Sequence, residues 1–178
     1  MNKYSRITSK SIKLAVMALA IGAAGNAMAA TANATSTSVV VTPIQISKAV
    51  DLSFGSIASG GSTGTVTLTP GGTRTVGGGA VAVGGTPAAA KFDVTGQSGL
   101  TYAITMTGTS ANLTSGSDTI PFTVISDVTA SAITTGIATT GTLTGGAQSI
   151  YVGGSLAVGA NQPAGTYTGT VAVAVDYN

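Results

Sequence analysis

Apolar and polar residues alternate in short runs along most of this chain. The run is most regular at the C-terminal end. There Gly169, Val171, Val173, Val175 and Tyr177 fall on one side, and Thr170, Ala172, Ala174 and Asp176 on the other. A period of two in a Val-rich stretch predicts a half-buried strand. Pro163 and Gly165 supply the turn that leads into it. The same period groups Val50, Leu52 and Phe54 before Gly55 breaks the run in 49–57. In 62–69 it sets Val66 and Leu68 against Thr63, Thr65, Thr67 and Thr69, and in 100–107 it groups Leu100, Tyr102, Ile104 and Met106. The Thr row reads as an ordinary sheet exterior rather than an ice-binding surface, because Thr favours strands. Shorter strands are expected at 73–76, 79–83, 88–94, 119–126, 148–152 and 155–158.

Between these runs lie turn residues. Pro70-Gly71-Gly72 predicts one turn, and the glycine runs 77–79 and 84–85 read as hairpin turns rather than phosphate cradles, since no helical period follows them. Residues 88–94 and 100–107 form a candidate long-looped hairpin, and 130–146 a long loop or weak hairpin. Many short strands spaced by glycine turns predict an all-β, antiparallel sandwich. The expected core anchors are Phe54, Phe92, Tyr102 and Phe122.

The N-terminal end has a different texture. Lys3, Arg6, Lys10 and Lys13 precede an apolar run, 14–24, and Ala27-Met28-Ala29 offers a small-residue cleavage site. This is the pattern of a secretory signal peptide, residues 1–29, with an apolar core too short for a stable membrane anchor. No integral membrane segment is expected in the mature chain. Residues 30–42 then form a small, polar extension that ends in Val39, Val40 and Val41, and 43–178 has the length of one domain. Pro43 forbids a central ladder position, so two readings stay open for 39–47. One is the first strand of its own sandwich. The other is a strand, with Val39, Val41, Ile44 and Ile46 as its apolar side, that leaves its own domain and fills a neighbour.

Composition then removes whole classes of function. The chain has no His and no Cys, and its five acids are all Asp. A Ser triad lacks its base, a zinc site lacks its usual ligands, and no Asp-rich loop suits calcium. No catalytic, cofactor-binding or metal-ligating residue is assigned, and an enzyme is not expected. Beyond residue 29 only Lys48, Arg74 and Lys91 face five Asp, a formal net charge of −2, so nucleic-acid binding has no electrostatic support. Charged residues make up 7% of the chain, far below a typical soluble domain. A surface of Thr, Ser, Gly and Ala suits a subunit packed against its own copies, and suits equally a composition selected for cheap export.

The penultimate Tyr177, Gly165 fourteen places from the end, Gly169, and the alternating valines between them resemble the C-terminal signature of chaperone–usher pilins. Leu52-Ser53-Phe54-Gly55, the run from Lys91 to Gly96, and Gly165-Thr166-Tyr167-Thr168-Gly169 resemble a family of small exported bacterial proteins. That family is described only as a domain of unknown function and is akin to spore-coat-U-like and archaic pilins. The absence of cysteine departs from most classical pilins. The resemblance implies an immunoglobulin-like sandwich, completed by a neighbour's N-terminal donor strand. It implies a fibre subunit exported through the periplasm to the cell surface. It also implies as partners copies of itself or related subunits, a periplasmic chaperone that grips the last strand (Gly165, Gly169, Val171, Val173, Val175 and Tyr177), and an outer-membrane usher. The alternative is a complete, monomeric secreted or surface sandwich with an adhesive role.

Overall fold

The structure, a computed structural model, describes residues 30–107, 109 and 111–178. The candidate signal peptide lies outside the described residues. Two compact units divide the chain, up to Val39 and from Val40 onward. Residues 30–41 of the extension are exposed, with Val39 at 87% and Val40 at 94%. No helix among the described residues is long and apolar enough to cross a membrane.

From Val40 onward the chain is an antiparallel β-sandwich, the class that the alternation predicts. Its strands are β1 (Gln45–Val50), β2 (Ser56–Leu68), β3 (Arg74–Gly84), β4 (Ala90–Thr95), β5 (Thr101–Thr105), β6 (Asn112–Ser115), β7 (Asp118–Asp127), β8 (Thr140–Thr142), β9 (Ala147–Val158) and β10 (Ala174–Tyr177). The larger sheet runs β1-β4-β9-β2-β3, with β7 also on β9 and β6 on β7. The smaller sheet runs β10-β5-β8.

β9 is the spine. Its residues 147–152 pair with β4, 154–158 with β2, and 151–156 with β7. Tyr151 and Val152 are bonded to β4 and β7, and Gly154 to Leu156 to β2 and β7. A strand has only two edges, so β7 takes one, and β4 hands the other to β2 at Gly153. The handover requires close approach. A Cβ on Gly153 would strike the Leu68 carbonyl oxygen, and one on Gly154 would strike the Phe122 ring.

This exchange divides the core in two. Phe92 and Val94 of β4, Ile150 and Val152 of β9, Tyr102 and Ile104 of β5, and Leu143 form one cluster between the sheets. Val66 and Leu68 of β2, Ile120 and Phe122 of β7, Leu156 and Val158 of β9, and Phe54 form the other. Leu68, Ile150, Val152 and Tyr102 are fully buried, and each aliphatic side chain so buried contributes about 1.5–3 kcal/mol. The buried Tyr102 hydroxyl donates to Gln148 Oε1 at 2.8 Å, which meets the need of a polar group in the core. All four expected anchors are buried.

Several strand expectations change. β3 continues through Gly77–Gly79, with Val76 opposite Val66 and Gly78 opposite Gly64, and the register then slips so that Ala80 lies opposite Ser59. The reversal between β2 and β3 is the one expected at Pro70-Gly71-Gly72, where Thr69 N–H donates to the Thr73 carbonyl. The runs at 148–152 and 155–158 are one strand, because β9 is paired along its whole length. β4 and β5 do not form a hairpin. They sit in different sheets, so their connection crosses the core. The run 49–57 is interrupted after Val50, with only a bridge from Ser53 to Ala88 before β2 begins. The C-terminal strand is regular only over Ala174–Tyr177, not from Gly169, because β5 supplies partners only for those four residues. Within 130–146 the weak-hairpin expectation gives way to a loop carrying β8, which pairs with β5.

Gly153→Ala is expected to lower stability by about 2 kcal/mol or more, because neither β2 nor β9 can move without losing ladder bonds. Urea denaturation against the parent chain measures it.

Candidate functional site

An open groove of about 790 Å³ lies over the cluster containing Phe54. Its floor is Phe54, Leu113, Ile120, Phe122, Leu156 and Val158, from three strands (β6, β7 and β9) and the link that precedes β2. One lip is the stretch from Val50 to Ser59, and the other is residues 162–171. Val171 is half-buried and packs on both clusters, as does Leu52 of the opposite lip.

Each lip is held on one side only. Ser53 exchanges both backbone bonds with Ala88 at 2.8 Å, and Thr168 exchanges both with Thr114 at 2.8 and 2.9 Å. Successive residues of an extended chain turn their N–H and C=O groups to opposite sides. Leu52 on one lip, and Tyr167 and Gly169 on the other, therefore turn theirs away from these partners. No backbone bond to them is found among the described residues.

Local chemistry fixes the first lip. Gly55 takes φ +69°, a conformation that favours glycine, and a Cβ there would strike the Arg74 guanidinium. Arg74 Nη1 donates to the Phe54 carbonyl at 2.6 Å, with the Ser56 and Gly84 carbonyls within 3.4 and 3.3 Å. One guanidinium thus satisfies carbonyls that the kink takes out of the ladder. It also holds Phe54 over Phe122, ring centroids 6.1 Å apart and 82° between planes, an edge-to-face pair.

The last strand is fixed by its penultimate residue. Gln97 N–H donates to Tyr177 Oη at 2.6 Å, and the Tyr177 hydroxyl donates to the Thr42 carbonyl at 2.7 Å. The C-terminal strand, the β4–β5 loop and the approach to β1 are tied through one phenol. Val173, Val175 and Tyr177 pack on the Phe92 cluster, whereas Gly165 and Gly169 line the groove.

The residues expected to form a donor strand divide. Val39 and Val41 are exposed, at 87% and 41%. Ile44 and Ile46 are a correction: both pack on their own domain's Phe92 cluster, and Ile46 pairs with Val94 in β1. They are occupied where they stand. The pattern missed Arg74, Leu113, Leu156, Val158 and Gln162 as groove residues. A lone Arg inside an uncharged strand was the one available signal.

Ionisable groups do not gather at the groove floor. Lys48 and Asp51 form an exposed pair at 2.5 Å on the rim. Lys91 lies 3.0 Å from Asp93 on β4. The Ser149 hydroxyl, which donates to Asp93 at 2.7 Å, and then the Lys91 ammonium hold the Asp93 carboxyl below its usual range. Its bond to Asp93 holds Lys91 above its own ordinary value. Burial pushes the Tyr102 phenol up. No group of three metal-ligating side chains is found among the described residues.

A family described as a domain of unknown function (DUF4402) matches residues 44–177, from the approach to β1 to Tyr177. The chain belongs to that family. The match takes in both lips, the floor and Tyr177, and leaves out Val39 and Val41. No curated protein and no solved structure matches the chain.

Phe54→Ala and Phe122→Ala are each expected to cost about 3–5 kcal/mol, with a coupling of about 0.5–1.5 kcal/mol in a double-mutant cycle. Additive costs would show that the rings do not act as a pair. Because the Asp93 pKa is lowered on folding, its contribution is present above the ordinary carboxylate range and is lost as pH falls through the lowered value. Asp93→Asn should therefore lower Tm slightly at neutral pH, and thermal melts should show the difference shrinking as pH falls through the acid range.

Proposed function

We propose that the chain is a structural subunit of a cell-surface fibre, assembled by strand complementation after export. The groove carries this reading. It is an apolar floor between two lips in which the backbone groups of Leu52, Tyr167 and Gly169 turn away from the lips' own partners, the geometry that strand addition satisfies. The incoming strand is the extension of a second copy. Val39 and Val41 supply alternate apolar side chains for the floor, and main-chain bonds to the lips supply affinity. A periplasmic chaperone holds the lips until the exchange, and an outer-membrane usher receives the complex. The scarcity of charge supports close packing of copies, since little desolvation of ions is needed.

The extension is the part to test. The chain lacking residues 30–41, which keeps the Thr42 carbonyl for Tyr177, is expected to fold and stay monomeric, while the parent chain assembles into species that sediment rapidly. Val39→Asp with Val41→Asp should slow assembly by tenfold or more, because each charge would have to be buried on the floor. Fibres from the deleted chain, seen by electron microscopy, would rule the proposal out. A parent chain that stays a compact monomer on gel filtration would instead favour the self-contained adhesive sandwich.

A further inference from the structure

The two lips are joined at one end by a knot centred on Gln162. Ser59 Oγ donates to the Gln162 carbonyl at 3.0 Å, directly across the groove. Next to it, Asn161 N–H donates to the Gly60 carbonyl at 2.8 Å. The Gln162 side chain then ties the second lip to the strand beneath. Nε2 donates to the Thr119 carbonyl of β7 at 3.2 Å and to Tyr167 Oη at 2.9 Å, and Oε1 accepts from Gly159 N–H at 3.3 Å. The Tyr167 hydroxyl donates back to the Pro163 carbonyl at 2.8 Å. Asn161, at φ 52°, turns the chain sharply into this knot.

We infer that Gln162 closes this end of the groove and sets the register of an incoming strand, which rests on the strand-complementation reading. A strand entering between the lips gains bonds residue by residue until it meets the Ser59–Gln162 link. To advance further it must break the bonds that cross from lip to lip and detach the loop from β7. The groove is therefore a slot with a stop, and it accepts a strand of limited length at one definite offset. A uniform trough would tolerate slippage by two residues, because the floor side chains repeat at that period. The stop removes the degeneracy. Gln162 is a positioning residue here, since it acts on the strand through the lips.

The test uses the full chain carrying Val39→Asp and Val41→Asp, which keeps its own extension from competing. Fluorescent synthetic peptides with the sequence of residues 36–42 are lengthened stepwise with Thr-Val units at either end, and affinity is read by anisotropy. Lengthening at one end is expected to stop improving affinity, whereas the same peptides bind Gln162→Ala, which keeps the carbonyl that Ser59 bonds but frees the loop from β7, about threefold more tightly or better. Ser59→Ala, which removes only the cross-lip side-chain bond, should shift the limit in the same direction, and it serves if Gln162→Ala does not fold. Equal gains at both ends in the parent, or the same length profile in the variants that fold, would overturn the stop while leaving strand complementation intact. No binding by any peptide to any chain would overturn strand complementation and the stop with it.

Discussion

β9 is hydrogen-bonded on both edges to three strands, and every other feature follows from how those edges are shared. β7 runs along one edge, and β4 gives way to β2 on the other at Gly153. A strand that changes partner along one edge cannot serve a single flat layer, so its two halves face different packing partners. The first half faces β5 and the smaller sheet, which covers the Phe92 cluster. The second half faces Phe54 and a coil, residues 162–171, which cover only the sides of their cluster. The groove is the place where the second half of the spine lacks a facing sheet.

That arrangement costs stability. Leaving apolar floor and outward-turned backbone groups open to water forgoes burial that a further strand would supply. The local devices around the opening limit the loss. Arg74 satisfies carbonyls at the Gly55 kink, Thr168 bonds to Thr114, and hydrogen-bonded ties at Tyr177 and Gln162 fasten its surroundings. The opening is thus specified by named contacts and is not a fault in packing. The ion pairs are exposed and separate, and Asp93 is lowered by a neighbouring hydroxyl and ammonium on the outer face of β4.

Much of the fold was legible because alternation reports burial directly. The runs at 62–69, 88–94, 100–107 and 119–126 each contain the buried residues of β2, β4, β5 and β7, and Phe54, Phe92, Tyr102 and Phe122 are all in the core. The misreadings share one cause. Gly77–Gly79 looked like a turn and is a paired strand, 148–158 looked like two strands and is one, and 169–173 alternates without being regular strand. In each case the presence or absence of a distant partner decided the outcome, and β-structure has no local ladder to reveal it.

The candidate site divides the same way. The sequence by itself determined the two-faced strands and the aromatic anchors, because each is a property of residue type and near spacing. Only the tertiary structure decided that Ile44 and Ile46 belong to their own core, that Arg74 and Gln162 frame an opening, and that the lips stand apart between their ties. Those facts depend on contacts between residues far apart in the chain, such as Tyr177 with Thr42 and Ser59 with Gln162. Long-range closure of this kind follows from the whole packing of the sheets and leaves no periodic trace in either partner's own segment.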